Sequence, residues 1–550
     1  METGRLCHAL DGGRKSRRNL DNIIKDWRRR SLNRTARLLL CAVLIVTRSA
    51  LAQSRAVDRS GGTDRWWESA AATIPVFLRD RPGKDAVFPL VPATAASKRL
   101  EEMRAAGISA IEVYAPAEGG NSFLGLDTIN RYRLEPKVGT MDDFRELVRL
   151  VHAKGMRIIN IDNFGYSSVE AVDFLKACDD VKAGKDTRES RFYLWSDTLD
   201  APPPGPTVND RYFMVRPGHL ARYESKKHEF WQWSERAGKY YWTKWRGVDL
   251  AGKAVRLPQY SWSSREFQEE VEKMIRFWMD TGIDGMMIDA VNWYVGCTWH
   301  LNRRYMTGMI SSYGSKYSQP EGAGGFHEDP VPWITEGGWT CVQDYGLGIF
   351  WEKGSNVVTK AIEGGDPTPI ERALRDYHDR VVDVGGTLYF SPPKFEDARK
   401  SYLSMALVAA VGDLVSLSGV IDGKWSPVFP DAEESRILKC KAAHPALHSL
   451  GRRQALPVAA PDKHYAFLRI APDGSERIIA VMNFQTDAQT VEVDLSGVDF
   501  DGMTDLENNT CIDPHVQWKI QVPAYGYRFF QLVDRKREPV RMPVKPVAGK

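Results

Sequence analysis

Hydrophobic positions along the chain follow two alternating spacings, one typical of helices and one typical of strands. In residues 140–154 the apolar side chains recur every three or four positions, as on one face of a helix, and Thr140 is a suitable N-cap. Residues 264–281 repeat this helical spacing. The short β-rich runs between such helices are 71–79, 107–114, 156–162, 285–291, 331–335, 386–390 and 414–417. This alternation predicts parallel βα units, and an α/β fold with a (β/α)8 TIM barrel fits it best.

Two segments depart from the strand–helix rhythm. Residues 167–263 contain the run PPPGP and many of the tryptophans, so we predict an irregular, Trp-rich insertion after the third strand. After residue 439, short strand-like runs alternate with turn signals, a pattern typical of a small antiparallel β-sandwich domain. The predicted organisation is a leader (1–52), the first part of the barrel (53–166), the insertion (167–263), the rest of the barrel (264–439) and a C-terminal β domain (440–550).

The beginning of the chain has the layout of a secretory signal peptide. An apolar run at 38–46 (LLLCAVLIV) follows an arginine-rich stretch, and Ala50-Leu51-Ala52 precedes Gln53 as a small-x-small cleavage site. The apolar run is too short to span a bilayer, and no later run of that kind reaches the necessary length. The alternative interpretation of the apolar run 38–46 is a buried helix. We therefore expect a secreted or periplasmic protein without stable membrane insertion.

Charge and cysteine usage exclude several classes of function. The formal charge is +4, but residues 1–37 carry +7 and Arg48 one more, so residues 53–550 carry −4. A weakly acidic chain of this kind is not expected to bind nucleic acid. The cysteines after the leader are scattered and lack a CxxC pair, which argues against a disulfide framework and a zinc site. We find no sign of an organic cofactor.

Three segments resemble the α-amylase superfamily, glycoside hydrolase family 13. The run from GISAIEVY to MRIINID (107–162) is similar to the opening third of that family's barrel, and the segment ending in GMMIDAVNW (257–293) is similar to its fourth-strand region. Residues 465–497 resemble the closing β-sandwich. The resemblance covers most of 70–535 and implies a retaining hydrolase or transglycosylase. Its implied substrate is an oligo- or polysaccharide, either an α-glucan or a related bacterial glycan.

The chemistry implied by the resemblance needs two carboxyl groups, which in retaining glycosidases are about 5–5.5 Å apart. A carboxylate after the fourth strand attacks the anomeric carbon, and an acid from the fifth strand protonates the leaving oxygen. Asp289 ends an apolar run and is the candidate nucleophile, with a structural capping role as the alternative. Glu336 follows the predicted strand 331–335, and Trp333 or Trp339 would shield it and raise its pKa. It is the candidate general acid/base, with a loop role, or Glu352 in its place, as the alternatives.

Several positions depart from the pattern of the family. Met287 stands where the family has an arginine two residues before the nucleophile. The stretch FSPPKFED (390–397) lacks the histidine of the family's NHD-like triplet, and Asp397 or Glu396 is the candidate third carboxylate. Gly165 occupies the position of an asparagine that binds calcium in many members, so we predict no metal.

The remaining candidates would contact the sugar. Asp127 matches the aspartate of the family's GYD turn, although Leu126 replaces its tyrosine. Indole rings stack on the apolar faces of sugars, so the aromatic run 231–245 offers stacking surface, with packing inside the insertion as the alternative. The predicted substrate-binding residues are Asp127, Asp162, Tyr166, Asn292, Trp293, Trp339 and Asp397.

The sequence therefore predicts a secreted glycosidase acting through Asp289 and Glu336, without a cofactor. The departures from the family pattern leave two alternatives open. One is a non-catalytic glycan-binding protein on a degenerate barrel. The other is an enzyme that is inactive on starch and acts on an unusual glycan linkage.

Overall fold

Eight parallel strands form a single sheet that curls into a barrel. Seven neighbouring pairs follow the order β5-β4-β3-β2-β1-β8-β7-β6, and a hydrogen bond from Thr340 N to Ser318 O joins β6 to β5 at the remaining seam. The strands are β1 Ala72–Phe77, β2 Ala110–Tyr114, β3 Arg157–Asp162, β4 Gly285–Ile288, β5 Tyr317–Pro320, β6 Cys341–Gln343, β7 Thr387–Phe390 and β8 Leu414–Ser416. The predicted (β/α)8 barrel is confirmed.

The computed structural model describes seven stretches of the chain, all within the compact unit Gly62–Lys550. These are residues 65–79, 88–199, 230–322, 329–348, 356–421, 424–512 and 517–533. The predicted leader (1–52) and the PPPGP run lie outside them. No helix in the described stretches has both the length and the apolar character needed to cross a membrane.

Helices cover the outside of the barrel and connect its strands. The α-helices are Trp66–Ser69, Ala93–Ala105, Met141–Ala153, Val172–Lys182, Arg265–Met279, Trp299–Asn302, Gly308–Ser311, Val331–Thr335, Val357–Gly364, Thr368–Ala373, Asp379–Asp383, Ala398–Val411 and Ala432–Ala443. The helix Met141–Ala153 begins at a capping box of Thr140 and Asp143 and buries the apolar face that the sequence predicted. The helix Arg265–Met279 begins at Ser264, whose side chain accepts from Phe267 N.

One predicted strand is wrong. Residues Val331–Thr335 form a short helix, with proline in its first turn and Trp333 buried against the core. Proline is well tolerated in the first turn of a helix, where its missing N–H leaves no bond unmade. The fifth barrel strand is Tyr317–Pro320 instead, a polar segment that does not show a strand-like hydrophobic pattern.

The insertion after β3 is more regular than predicted. Its described residues include the helix Val172–Lys182 and a small antiparallel sheet. The strands of that sheet are Trp195–Ser196, Trp231–Ser234, Lys239–Val248 and Ala254–Pro258. The rings of Trp231 and Trp242 pack against each other inside this sheet layer, so packing explains both residues.

The C-terminal residues form the predicted antiparallel β-sandwich, with one six-stranded and one two-stranded sheet. The strands of the larger sheet are Arg452–Ala455, His464–Ile470, Arg477–Asn483, Gly502–Asp505, Thr510–Ile512 and Tyr527–Val533, and those of the smaller are Gln489–Asp494 and Gln517–Val522. One face of the larger sheet, including Phe467 and Phe529, belongs to the same apolar core as the barrel. The last barrel helix, Ala432–Ala443, crosses the predicted boundary at residue 440.

The interior of the barrel is partly polar. Glu112 on β2 is fully buried there, and its carboxyl accepts hydrogen bonds from Thr73 on β1 and from the hydroxyl of Tyr389 on β7. The hydroxyl of Ser416 on β8 donates to the Tyr389 oxygen over 2.6 Å. Burial raises the pKa of Glu112 to about 7, because the interior disfavours the charged form.

Candidate active site

The backbone register of β4 and β5 brings two carboxyl groups together at the C-terminal end of the barrel. Ile288 lies opposite Pro320 in this parallel pair, so Asp289 and Glu321 follow at matched positions. Glu321 N donates to Ile288 O over 2.8 Å, which extends the ladder by one residue. A parallel ladder aims side chains at equivalent positions in the same direction. The two carboxyl groups meet in side-chain hydrogen-bond contact.

The close approach of the two carboxyl groups perturbs the protonation of Asp289. Burial, followed by the neighbouring charge of Glu321, raises its pKa well above the usual value for an aspartate. Ala290 N donates to Glu321 Oε2 over 2.9 Å, so backbone holds the second carboxyl in place. Two carboxyl groups this close cannot both be ionised at low cost, so the charge of Glu321 disfavours the ionised form of Asp289.

Tyr166 and Asp162 complete the surroundings of Asp289. The hydroxyl of Tyr166 donates to Asp289 Oδ2 over 3.4 Å and lowers the pKa of the carboxyl. Asp162 ends β3 beside β4, and its negative charge acts in the opposite direction. The buried guanidinium of Arg131 balances Asp162 through a contact of 3.2 Å. Sequence reasoning missed Arg131, which sits in a polar hairpin outside any recognised motif.

The backbone turns sharply immediately after Asp289. Ala290 has φ 53° and ψ 31°, in the left-handed region that non-glycine residues seldom adopt. Ala115, which follows β2, also has a positive φ of 43°. Strained residues persist only where the surroundings hold them, and they concentrate at functional sites. The strain at Ala290 places its N–H toward Glu321.

Aromatic rings lie beside Tyr166 and extend away from Asp289. The ring of Trp245 lies 5.8 Å from that of Tyr166, 5.9 Å from that of Phe123 and 6.3 Å from that of Trp293. Phe123 exposes 44% of its surface, and Trp245 and Trp293 are partly exposed. Flat, partly exposed rings of this kind suit the apolar faces of a sugar.

A cluster of buried apolar side chains packs beside these rings. Met287, Ile161 and Leu126 pack together with Tyr166 in one buried cluster. Asp127 lies next to it, and burial raises its pKa to about 7. Its Oδ1 accepts from Ser122 N over 3.0 Å, while its Oδ2 has no hydrogen-bond partner among the described residues. Asp127 is therefore a candidate to bind a hydroxyl that a ligand brings.

Asn292 lies close to the segment that carries Glu321. A side chain at Gly322 would come within 2.6 Å of Asn292 Oδ1, so the two residues are packed together. This oxygen also lacks a hydrogen-bond partner among the described residues. The structure thus groups the predicted residues Asp127, Asp162, Tyr166, Asn292 and Trp293 around Asp289.

Glu336, Trp339 and Asp397 do not join this group. Glu336 is exposed at the end of the helix that leads into the N-terminal end of β6, whereas Asp289 follows the C-terminal end of β4. Trp339 is buried in the core beside that helix. Asp397 caps the helix Ala398–Val411 and pairs with Arg399 over 2.7 Å. The rival Glu352 lies outside the described residues, and Glu396 is exposed next to Asp397.

Comparison with known proteins matches two family descriptions to this chain. "Alpha amylase, catalytic domain" matches residues 98–309, and "Maltogenic Amylase, C-terminal domain" matches residues 453–529. The first match contains β2, β3, β4 and Asp289, and the second contains most of the C-terminal sandwich. The chain is thus similar to the α-amylase family over β2 to β4 and over its C-terminal sandwich.

Curated relatives match this chain in part. The probable oligo-1,6-glucosidase 2 of Bacillus subtilis (strain 168) is 26% identical over 41% of this chain and 35% of its own length. The trehalose-6-phosphate hydrolase of Escherichia coli (strain K12) is 28% identical over 30% of this chain and 25% of its own length. The matched segments thus span about a third or less of these relatives.

Solved structures share the fold over a greater length. Amy13B of Eubacterium rectale superposes with a TM-score of 0.62 at 15% identity and covers 84% of this chain and 96% of its own. The trehalose-6-phosphate hydrolase of Bacillus licheniformis gives a TM-score of 0.61 at 14% identity, covering 85% and 100%. At this level of identity, the similarities show the fold of the chain.

No carboxylate follows the end of β7 directly. The strand ends at Phe390, and buried Ser391 follows, with its hydroxyl bonded to Ser418 O. Two prolines come next in the sequence. This chain thus has Ser391 where a polar group is expected after β7. It has Met287 where an arginine is expected before Asp289.

Proposed function

We propose that this chain is a retaining glycoside hydrolase or transglycosylase that acts on an oligo- or polysaccharide. The observation that carries the proposal is the pairing of Asp289 and Glu321 at matched positions of β4 and β5. Carboxyl groups in close approach suit double displacement, whereas inverting enzymes keep theirs about 6.5–9.5 Å apart to admit water.

In the first step, Asp289 is the nucleophile and Glu321 the general acid. The Asp289 carboxylate attacks the anomeric carbon as the glycosidic bond breaks, and Glu321 gives its proton to the leaving oxygen. In the second step, Glu321 takes a proton from water or from a sugar hydroxyl, whose oxygen attacks the anomeric carbon and releases Asp289. Water completes hydrolysis, and a sugar hydroxyl completes transfer.

The surroundings of the pair favour this division of roles. Tyr166 donates to Asp289 and stabilises the charge of the nucleophile, a task that Met287 cannot perform. The first step needs an ionised Asp289, and the hydrogen bond from Tyr166 favours that form. The names of the curated relatives, an oligo-1,6-glucosidase and a trehalose-6-phosphate hydrolase, support an α-linked glucoside as the first substrate to test.

Four variants, one of them a control, test the roles of the carboxyl groups. Asp289→Asn and Glu321→Gln should each abolish product formation from a panel of α- and β-linked glycans, read by mass spectrometry. Glu336→Gln is the matched control and should keep wild-type turnover. With a glycosyl fluoride, which needs little acid assistance, azide should restore turnover to a Glu321→Ala variant and yield the glycosyl azide. Wild-type turnover in Asp289→Asn or Glu321→Gln contradicts the proposal.

The second candidate function is glycan binding without catalysis. The observation that favours it is the replacement of polar family positions by Met287 and Ser391, which removes two groups that hold the nucleophile and sugar in place. Its signature in the same panel is binding by the wild type with no product after long incubation. Product formed by the wild type but by neither carboxyl variant excludes it.

We also propose that the protein is exported from the cytoplasm. The arginine-rich stretch, the apolar run 38–46 and the small-x-small site before Gln53 support the proposal. Expression of the full chain in a Gram-negative host should give a periplasmic product whose N-terminal residue is Gln53. An unprocessed product in the cytoplasmic fraction contradicts it.

A further inference from the structure

A second group of buried ionisable side chains lies outside the barrel, away from Asp289 and Glu321. Asp344 follows β6, Asp413 immediately precedes β8, and His378 ends the π-helical turn Leu374–His378 in the helical segment before β7. All three side chains are buried, with at most 1% of their surface exposed. Separate elements therefore converge on one closed point.

Two carboxylate oxygens at this point are not satisfied by the described residues. Asp344 Oδ2 and Asp413 Oδ2 have no hydrogen-bond partner among them. His378 Nε2 lies 3.1 Å from Asp413 Oδ1, and the candidate ligand atoms of the three residues all lie within 4.8 Å of one another. Buried carboxylates without partners are costly, so the arrangement calls for a counter-charge.

The other side of the imidazole is held in the way that metal-binding histidines usually are. His378 Nδ1 lies 3.2 Å from Asp379 Oδ1, and Asp379 is in turn bound by Arg453, with Nη2 2.6 Å from Oδ2. A carboxylate on Nδ1 fixes the tautomer and turns the lone pair of Nε2 toward the cluster. The π-helical turn is a rare distortion, often found at functional positions, and His378 lies at its end.

We propose that Asp344, His378 and Asp413 bind one divalent transition-metal ion, of the class that accepts imidazole and carboxylate ligands together. Zn²⁺ and Mn²⁺ fit this ligand set. The site is closed to solvent and offers no open position to a substrate, so the ion has a structural role. It joins the ends of β6 and β8 to the helix before β7, and through Asp379 and Arg453 it connects to the C-terminal sheet.

The competing account is an ion network without a metal. Arg469 and Lys441 are the other buried cations whose charges act on Asp413, and a protonated His378 would add a third. That account predicts a metal-free protein whose stability does not respond to added metal. The two accounts therefore differ in a directly measurable quantity.

Metal content of the full chain decides between them. Protein purified without chelator and dialysed against Zn²⁺ or Mn²⁺ should hold about one ion per chain by mass spectrometry. His378→Gln and Asp413→Asn should hold none. The matched control is His444→Gln, which breaks a contact of 2.8 Å between His444 and Glu476 where no third ligand is present. It should keep the ion.

A second measurement does not depend on whether the variants fold. Prolonged chelation of the wild type should lower its melting temperature, and added Zn²⁺ or Mn²⁺ should restore it. Cobalt(II) in the chelated protein should give visible absorption bands of a protein-bound ion. A wild-type protein that stays metal-free after dialysis, with an unchanged melting temperature, overturns the inference. The result is independent of catalysis, so it stands apart from the proposed function.

Discussion

At the scale of single residues, the hydroxyl of Tyr166 is the group that favours the ionised form of Asp289. Hydrogen bonds to charged groups contribute about 1.5–3 kcal/mol, and this one is long at 3.4 Å. We expect Tyr166→Phe to lower kcat/KM about 10-fold. Because the variant raises the pKa of Asp289, the acidic limb of the pH profile should move to higher pH.

The control for this prediction is Tyr193→Phe, which removes another buried hydroxyl, one that contacts Ser167 over 3.0 Å in the insertion. Steady-state kinetics across pH should leave its profile at the wild-type position. An equal shift in both variants would show that the effect is general loosening and not a contact with Asp289.

Glu112 gives a second residue-scale prediction, on stability. Its pKa in the folded barrel is about 7, above the usual 4.5, so between these values the folded state holds a proton that the unfolded state has lost. Stability therefore falls as pH rises through this window, by up to about 3 kcal/mol. Glu112→Gln keeps a hydrogen-bonding side chain but cannot ionise. Urea unfolding at pH 5 and pH 8 should show a smaller loss of stability for the variant, and an equal loss in both proteins contradicts the assignment.

At the scale of elements, the close approach of β4 and β5 depends on a glycine. A Cβ at Gly285 would lie 2.2 Å from Tyr317 O, a backbone atom of the neighbouring strand that cannot rotate away. Gly285→Ala should destabilise the protein by about 1–3 kcal/mol or more and lower activity, because it separates the strands that carry the two carboxyl groups. Gly497→Ala, where nothing lies within 4 Å, is the control. Thermal unfolding of both variants tests the prediction.

The strands and helices were predictable where the hydrophobic spacing is regular. The helix Met141–Ala153 and the strands β2, β3 and β4 follow from apolar positions and a clear N-cap. The fifth strand was not predictable in this way, because Tyr317–Pro320 reads YSQP and its inward side chains are polar. The hydrophobic run 331–335 was assigned as the fifth strand instead, and Glu336, which follows it, was therefore assigned as the acid.

Glu321 was therefore missed although the chemical rule that finds it was available. An acid is expected after the fifth strand, and Glu321 follows the true fifth strand. The usable signal was the order of elements along the chain. The polar segment ending in Glu321 follows the first α-helices after Asp289, Trp299–Asn302 and Gly308–Ser311. Arg131 is distant from Asp289 in sequence and comes close to it only when its hairpin folds. No sequence motif marks it.

At the scale of the whole molecule, Arg453 links the C-terminal sheet to the helices around the barrel. Its side chain is buried and contacts Glu371 over 2.5 Å and Asp379 over 2.6 Å. Arg453→Met leaves both carboxylates without this partner. Removing one partner of a buried pair costs about 3–5 kcal/mol, and the partial exposure of these carboxylates lowers that to about 2 kcal/mol.

Arg452 is the matched control, since it precedes Arg453 on the same strand and its side chain is exposed. Arg452→Met should unfold at the wild-type denaturant concentration. Chemical denaturation of the two variants compares them directly. Equal midpoints would show that Arg453 does not hold the two parts of the molecule together.

The backbone ladder that carries Asp289 and Glu321 also bears on how such a protein changes over evolution. Asp289 N donates to Asp162 O and Glu321 N donates to Ile288 O, so main-chain bonds fix the spacing of the reacting groups. Main-chain bonds survive most side-chain replacements. The segments that bear Phe123 and Trp293, and the inserted strand that bears Trp245, can therefore diverge, or be exchanged by an engineer, without moving Asp289 and Glu321. Under the proposed function, choice of sugar and ability to break its bond would be inherited separately.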